Sequence, residues 1–276
     1  MTRTGLRVCA LLMIFPWCGP AWTVAEEPKA SQAPADFKLT MSFFGAGGKA
    51  VATEEIVIRK RLAYHFVSGE SLEVIVLDPA QERLEILDLD RRLLTRITFR
   101  RLEIFQQELL KTIQATNSRR LKQGGRNNAL LAGMSHDLVE PKFETSYDEA
   151  THHLRLMNPT IEVEARGEPE ADHARNVYIV NALSIMAKLD SFRDPASLPA
   201  SSKLTALNAI ADRKLRPTEM SFLYRLAGPP RRIRWTYKLE TQLSERETEA
   251  LARIEAMKLK FRPVAFEEFE KHEKPE

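Results

Sequence analysis

The clearest periodicity in this 276-residue chain lies at 232–240, where Ile233, Trp235, Tyr237 and Leu239 alternate with Arg232, Arg234, Thr236, Lys238 and Glu240. Strict alternation places the two sets on opposite sides of a strand, so this segment predicts half-buried β-structure. The same period recurs from 37 to 99. Leu62, Tyr64 and Phe66 alternate with Ala63, His65 and Val67, Asp78-Pro79 closes one apolar run, and Asp90-Arg91-Arg92 divides two more. Short β-rich runs joined by a few turn residues predict an antiparallel meander, because a parallel pair needs a helical crossover.

The period then changes. Leu102, Phe105, Leu109 and Ile113 share one helical stripe behind Thr98, a good N-cap, and predict a helix over 98–118. Gly124-Gly125, inside a basic cluster of Arg119, Arg120, Lys122 and Arg126, predicts a loop over 119–141, with room for a short helical turn around Leu130-Leu131. Strands follow at 142–167, helices at 174–192 and 201–214, and strands again at 218–241. Ser244 and Glu247 form a capping box that opens a helix over 244–259. "RPVAFEEF" reads as a final short strand, and 271–276 as a frayed charged tail.

One helix decides the expected architecture. Between Val177 and Leu189 nearly every position is apolar, and the polar strip of Asn181, Ser184, Lys188 and Ser191 is narrow. A helix with so thin a wet face is covered on most of its circumference. Strand groups interrupted by helices indicate an α+β fold. The expectation is a single domain over 37–270, a strongly curled, half-barrel-like antiparallel sheet packed on several helices, with this one largely buried. Val177, Ile179, Val180, Leu183 and Met186 are the candidates for an apolar cavity or a lid over one.

The start of the chain alters the chemistry expected of the remainder. Arg3 and Arg7, the apolar run Val8–Ile14 and the small residues before Glu26 form the pattern of a secretory signal peptide over 1–25, cleaved between Ala25 and Glu26. Its apolar run is too short for a membrane span, and 26–36 reads as a flexible leader. Both cysteines, Cys9 and Cys18, fall inside it, which removes disulfides, thiol chemistry and cysteine-ligated zinc from the mature chain. Cleavage takes the 41 basic side chains to 39 against 38 acidic ones, so the net charge falls from +3 to +1. That balance gives no reason to expect a nucleic-acid partner. With 43% hydrophobic residues the chain has enough apolar surface for a core.

Candidate chemistry is sparse. "FFGAGGKA" resembles a phosphate loop, but Ala50 follows Gly48-Lys49 where a hydroxyl residue is needed, and a strand follows where a helix is needed. A hairpin tip is the expectation, with no nucleotide. Gly133–Asp137 places Ser, His and Asp side by side, which does not bring a nucleophile to its base. His152 and His153 point to opposite faces of an expected strand and do not chelate one ion together, even with His173 or Asp148 nearby in sequence. The carboxylate pairs Glu54-Glu55 and Asp88/Asp90 suggest acid–base work, but Asp88 and Asp90 share a face of a strand end near a hairpin and read as solvated turn residues. The basic groups at 119–126 and at Arg231, Arg232 and Arg234 lack interleaved aromatics for base stacking. They are expected to meet solvent, with anionic lipid or polysaccharide as the other candidates. No catalytic residue, cofactor or metal ligand is assigned.

Residues 64–105, "YHFVSGESLEVIVLDPAQERLEILDLDRRLLTRITFRRLEIF", resemble exported bacterial envelope proteins, as does "GPPRRIRWTYKLETQLSERE". In architecture, strand groups around an apolar helix are similar to the half-barrels of periplasmic lipoprotein and lipid carriers of the LolA/LppX kind. The resulting expectation is an exported, periplasmic or extracellular, non-catalytic binding or scaffolding protein acting through the concave face of its curled sheet. Its partner would be lipid or another envelope protein, with no stable membrane span after cleavage. The alternatives are a lipid or lipoprotein carrier with a helical lid, and a hydrolase whose site is assembled from distant residues.

Overall fold

A computed structural model of the chain describes residues 34–45, 48–67, 72–194, 199–226 and 228–271. The expected signal segment, its cleavage position at Ala25 and Glu26, nearly all of the leader and the end of the tail lie outside the described residues.

The first meander comprises β1 (Phe37–Phe44), β2 (Ala50–Arg59), β3 (Leu62–Val67), β4 (Glu73–Asp78), β5 (Arg83–Asp88) and β6 (Leu93–Thr98). Helices α1 (Phe99–Gln123) and α2 (Arg126–Val139) follow, then β7 (Glu144–Asp148), β8 (His153–Met157) and β9 (Ile161–Pro169). Next come α3 (His173–Arg193), α4 (Ser201–Ala211), β10 (Leu215–Tyr224), β11 (Arg231–Glu240), α5 (Glu245–Lys258), β12 (Arg262–Pro263) and α6 (Phe266–Lys271). The fold is α+β, as expected.

The twelve strands make one sheet in the order β12-β6-β5-β4-β3-β2-β1-β11-β10-β9-β8-β7. All neighbours are antiparallel except the two-residue β12, which runs parallel to β6. The two strand groups are joined by the first strand, which pairs with β11 in the register Leu39↔Leu239, Met41↔Tyr237 and Phe43↔Trp235.

Alternation gives the sheet an inner and an outer face. Inner side chains include Phe37, Leu39, Ile56, Ile75, Ile86, Val163, Met220 and Phe222, which form one buried cluster with Leu102 of α1, Ile179 and Leu183 of α3, Leu207 of α4 and Phe269 of α6. On the outer face a second cluster gathers Val57, Tyr64, Val74, Val76, Leu87 and Leu94 under Leu251 and Ile254 of α5. That helix therefore covers only the β2–β6 half.

Two expectations need correction. The sheet is open, neither closed nor strongly curled. Helix α3 is nonetheless buried at Ile179, Val180, Leu183, Met186 and Leu189, because α1 and α4 pack beside it on the same face. A helical layer does the covering that bent β-structure was expected to do. The second correction concerns 119–141, which is helical over most of its length. Gly124 and Gly125 adopt φ of 69° and 89°, a conformation that side chains with a Cβ rarely take, and so turn the chain within two residues. Ala129 N–H then bonds to Gly125 O at 3.1 Å and Asn128 Nδ2 to Gly124 O at 2.8 Å, which restarts the helix at once.

Candidate functional site

The outer face of β7–β11 contrasts with the half beneath α5. Its side chains are polar by alternation: Arg155 on β8, Glu162, Glu164 and Arg166 on β9, Glu219 and Ser221 on β10, and Arg232, Arg234 and Lys238 on β11. Arg155, Arg166, Arg232 and Lys238 are exposed, whereas the corresponding side chains under α5 are buried valines and leucines.

These groups form an ordered charge lattice. Glu162 is held by Arg155, with Nη2 at 2.6 Å and Nε at 2.9 Å from Oε1, and by Arg225 on its other oxygen. Those two guanidiniums, Arg155 foremost, hold the Glu162 carboxyl below its usual range despite its partial burial. Arg232 Nη1 donates to Ser221 Oγ at 3.1 Å and lies 3.5 Å from Glu164 Oε2. The Arg234 guanidinium sits 4.2 Å from the centroid of the Phe44 ring and 3.8 Å from Glu219 Oε1. An open concavity of about 470 Å³ at one end is lined by Ser146, Tyr147, Asp148, His153, Arg155 and Glu164. Its Asp148 carboxylate is engaged by the Thr151 hydroxyl at 2.8 Å and Ala150 N–H at 3.0 Å, which lower its pKa and fix the β7–β8 turn. These hydrogen bonds and the ring contact hold the guanidinium and carboxylate groups in fixed relative positions.

The structure places the residues singled out in the sequence as follows. Ile179, Val180, Leu183 and Met186 pack into the main core, and Val177 is half-buried. Of "FFGAGGKA", Phe43 and Phe44 end β1 and residues 48–50 lead into β2, with Gly48 N–H bonded to Gly45 O at 3.1 Å, while Ala46 and Gly47 lie outside the described residues. On α2 the three polar neighbours diverge. Ser135 bonds back to Leu131 O, His136 lies 3.5 Å from Glu140, and Asp137 accepts from Thr160 at 2.6 Å. His152 occupies the β7–β8 turn and meets the Tyr147 hydroxyl at 3.0 Å, while His153 opens β8. Asp88 is no solvated turn residue. It is buried, accepting from Arg91 N–H and Nε, both at 2.6 Å, and so fastens the β5–β6 hairpin.

Glu54 and Glu55 separate to opposite faces. Glu55 faces Lys38 at 3.6 Å on the outer side, and Glu54 Oε2 meets the buried His65 Nε2 at 2.7 Å on the inner side. Sequence reasoning missed the Glu54–His65 pair. The β2–β3 register, with Ile56 opposite His65, is the signal that places them diagonally. Among the described residues, no group of three or more His, Cys, Asp or Glu side chains is placed to hold a metal ion, and no helix is long and apolar enough to cross a membrane.

No family model matches this chain, and no curated protein matches it.

Proposed function

We propose that the chain is an exported, non-catalytic binding module of the cell envelope, and that its working surface is the outer face of β7–β11. The observation that carries this reading is the asymmetry of the outer face. One half is sealed by α5 over apolar side chains, and the other presents an ordered guanidinium–carboxylate lattice to solvent. Arginines whose planes are already fixed by Glu162, Glu164 and Phe44 lose little side-chain freedom on binding, which favours recognition of a protein surface with alternating charges. The packing of Ile179, Leu183 and Met186 into the main core favours an internal structural role for α3 over that of a lid.

The test is site-specific photo-cross-linking in cells of the source organism. A cross-linker at Arg166 or Arg232 should give one dominant protein adduct, and one at Arg253, exposed on α5 over the β2–β6 half, should give none. Equal adducts from both places, or none from either, reject the reading. Lipid co-purifying in stoichiometric amount, lost on Leu183→Asp without unfolding, would instead favour a carrier.

A further inference from the structure

The hairpin of α1 and α2 carries a second feature, independent of the sheet face. Its two helices run antiparallel: Arg120 Nη1 donates to Ser135 Oγ at 3.2 Å and Gln114 Nε2 to Glu140 Oε2 at 2.9 Å. Little of it is buried. Leu102 and Asn117 are the buried residues of α1, and Ala132 that of α2. From Leu102, anchored in the core, to Leu121 is roughly 28 Å along a helix rising about 1.5 Å per residue.

The composition of the outer part is one-sided. Between Glu108 and Asp137 there is no acidic residue, while Lys111, Arg119, Arg120, Lys122 and Arg126 are basic. Elsewhere the arginines are mostly paired with carboxylates, as at Glu162, Glu73 and Asp88. At the tip, Arg119, Lys122 and Arg126 are exposed, and no carboxylate of the described residues lies within ion-pairing distance of them. Leu121, Leu130 and Leu131 flank the same glycine turn at 58%, 61% and 38% exposure. Isolated exposed leucines are ordinary. Here three exposed leucines flank one glycine turn beside three cations that have no carboxylate partner among the described residues.

We propose that this tip docks on the surface of an anionic lipid bilayer, with Arg119, Lys122 and Arg126 at the headgroups and Leu121, Leu130 and Leu131 entering the acyl boundary. Charge complementarity selects an anionic partner, because the tip has cations and no anions of its own. Leucines placed among the cations select a bilayer over a purely polar polyanion, because only a bilayer offers charge and hydrocarbon within one side-chain length. Each cation near an anionic surface contributes about fivefold to affinity, so the three together contribute on the order of 100-fold, reduced by salt.

The experiment is vesicle flotation of the full chain with equal phosphatidylglycerol and phosphatidylcholine, against phosphatidylcholine alone. Binding is expected to the anionic vesicles only. Replacing Arg119, Lys122 and Arg126 with Gln should weaken it on the order of 100-fold, and replacing them with Glu should weaken it further, because each change then also adds an anion. Replacing Leu121 and Leu130 with Ser should abolish the part that survives high salt. Both sets lie at exposed positions, so unchanged circular-dichroism melts are expected; if the Glu set melts early, the same positions changed to Gln give the readout. Binding of the variants equal to that of the parent chain overturns the proposal, as does no binding to anionic vesicles. Equally tight binding to polyglutamate, insensitive to the Ser changes, overturns it in favour of an acidic protein partner.

Discussion

Lys38 Nζ donates to Glu247 Oε1 at 2.6 Å, joining β1 to the first turn of α5 across 209 residues of chain. The same carboxylate accepts Ser244 N–H at 2.7 Å through its other oxygen, completing the capping box of α5. Glu240 and Glu55 also approach Lys38, at 3.2 and 3.6 Å. One nearly buried ammonium thus meets three carboxylates and ties β1 to the first turn of the helix that seals half of the outer face.

The Lys38 ammonium pulls the Glu247 pKa from its ordinary 4.5 down to about 2. The folded value lies below the unfolded one, so this stabilisation is complete above pH 4.5 and disappears as pH falls towards 2. Lys38, bonded to Glu247, is raised above its ordinary 10.5, so its contribution is complete below that value and is lost as pH rises beyond it. Glu247→Ala should cost about 2 kcal/mol, from the cap and the charged hydrogen bond together. Thermal melts against pH should show a steeper acid decline in the parent chain than in the variant. Parallel curves would remove the pair from the account.

The Glu54–His65 pair predicts an asymmetry between single and double substitution. His65 is 5% exposed, and its Nδ1 has no partner among the described residues, so Nε2 depends on Glu54. Glu54→Ala should cost about 1–3 kcal/mol by leaving the ring unpartnered. Changing both residues to Leu should recover most of that loss, because two apolar groups need no partner. A urea double-mutant cycle measures it, and additive losses would count against the coupling.

Much of this was legible in the sequence, for local reasons. Alternation at Ile233–Leu239, the Thr98 cap and the Ser244–Glu247 box each report a neighbourhood of a few residues, and each appears in the structure. The α+β class follows from the order of such elements. What was not legible depends on contacts between distant segments. Nothing local says that β1 pairs with β11, and that pairing builds one twelve-stranded sheet. "RPVAFEEF" was expected as a strand, yet only Arg262–Pro263 pairs with β6, and Phe266–Lys271 forms α6 with Phe269 in the core. The lattice around Glu162 was equally hidden, since Arg155, Glu162 and Arg225 meet only through the β8–β9–β10 register.

Gly167 on β9 offers a prediction that composition would not suggest. An ideal Cβ placed there lies 2.8 Å from Leu215 Cβ and 2.9 Å from Arg216 O, where β10 begins just ahead of its register shift at Pro217 and Glu219. Both obstacles are fixed close to the backbone, so the strands must separate to admit a methyl group. Gly167→Ala should cost about 1–3 kcal/mol by overpacking. An unchanged urea midpoint would show that the sheet yields there without cost.

Helix α3 supplies the last prediction, through Ser191. The sequence puts Ser191 in the wet strip with Asn181, Ser184 and Lys188. In the structure Asn181 is exposed while Ser191 is 1% exposed, and its Oγ has no partner among the described residues. The strip ends early because α1 and α6 close over the last turn. The Phe192 ring lies 5.2 Å from Phe105 and 4.9 Å from Phe266, and Arg193 reaches Glu73 at 2.7 Å and Glu270 at 3.0 Å. A buried hydroxyl without a partner costs more than a methyl group in its place. Ser191→Ala should therefore raise stability by up to about 1 kcal/mol. Leu183→Ala in the same helix should lower it by about 2–5 kcal/mol. Chemical denaturation of the two variants tests whether α3 is enclosed to its end. A Ser191→Ala chain that is clearly less stable would mean that the hydroxyl has a polar role and the last turn is wetter than its packing indicates.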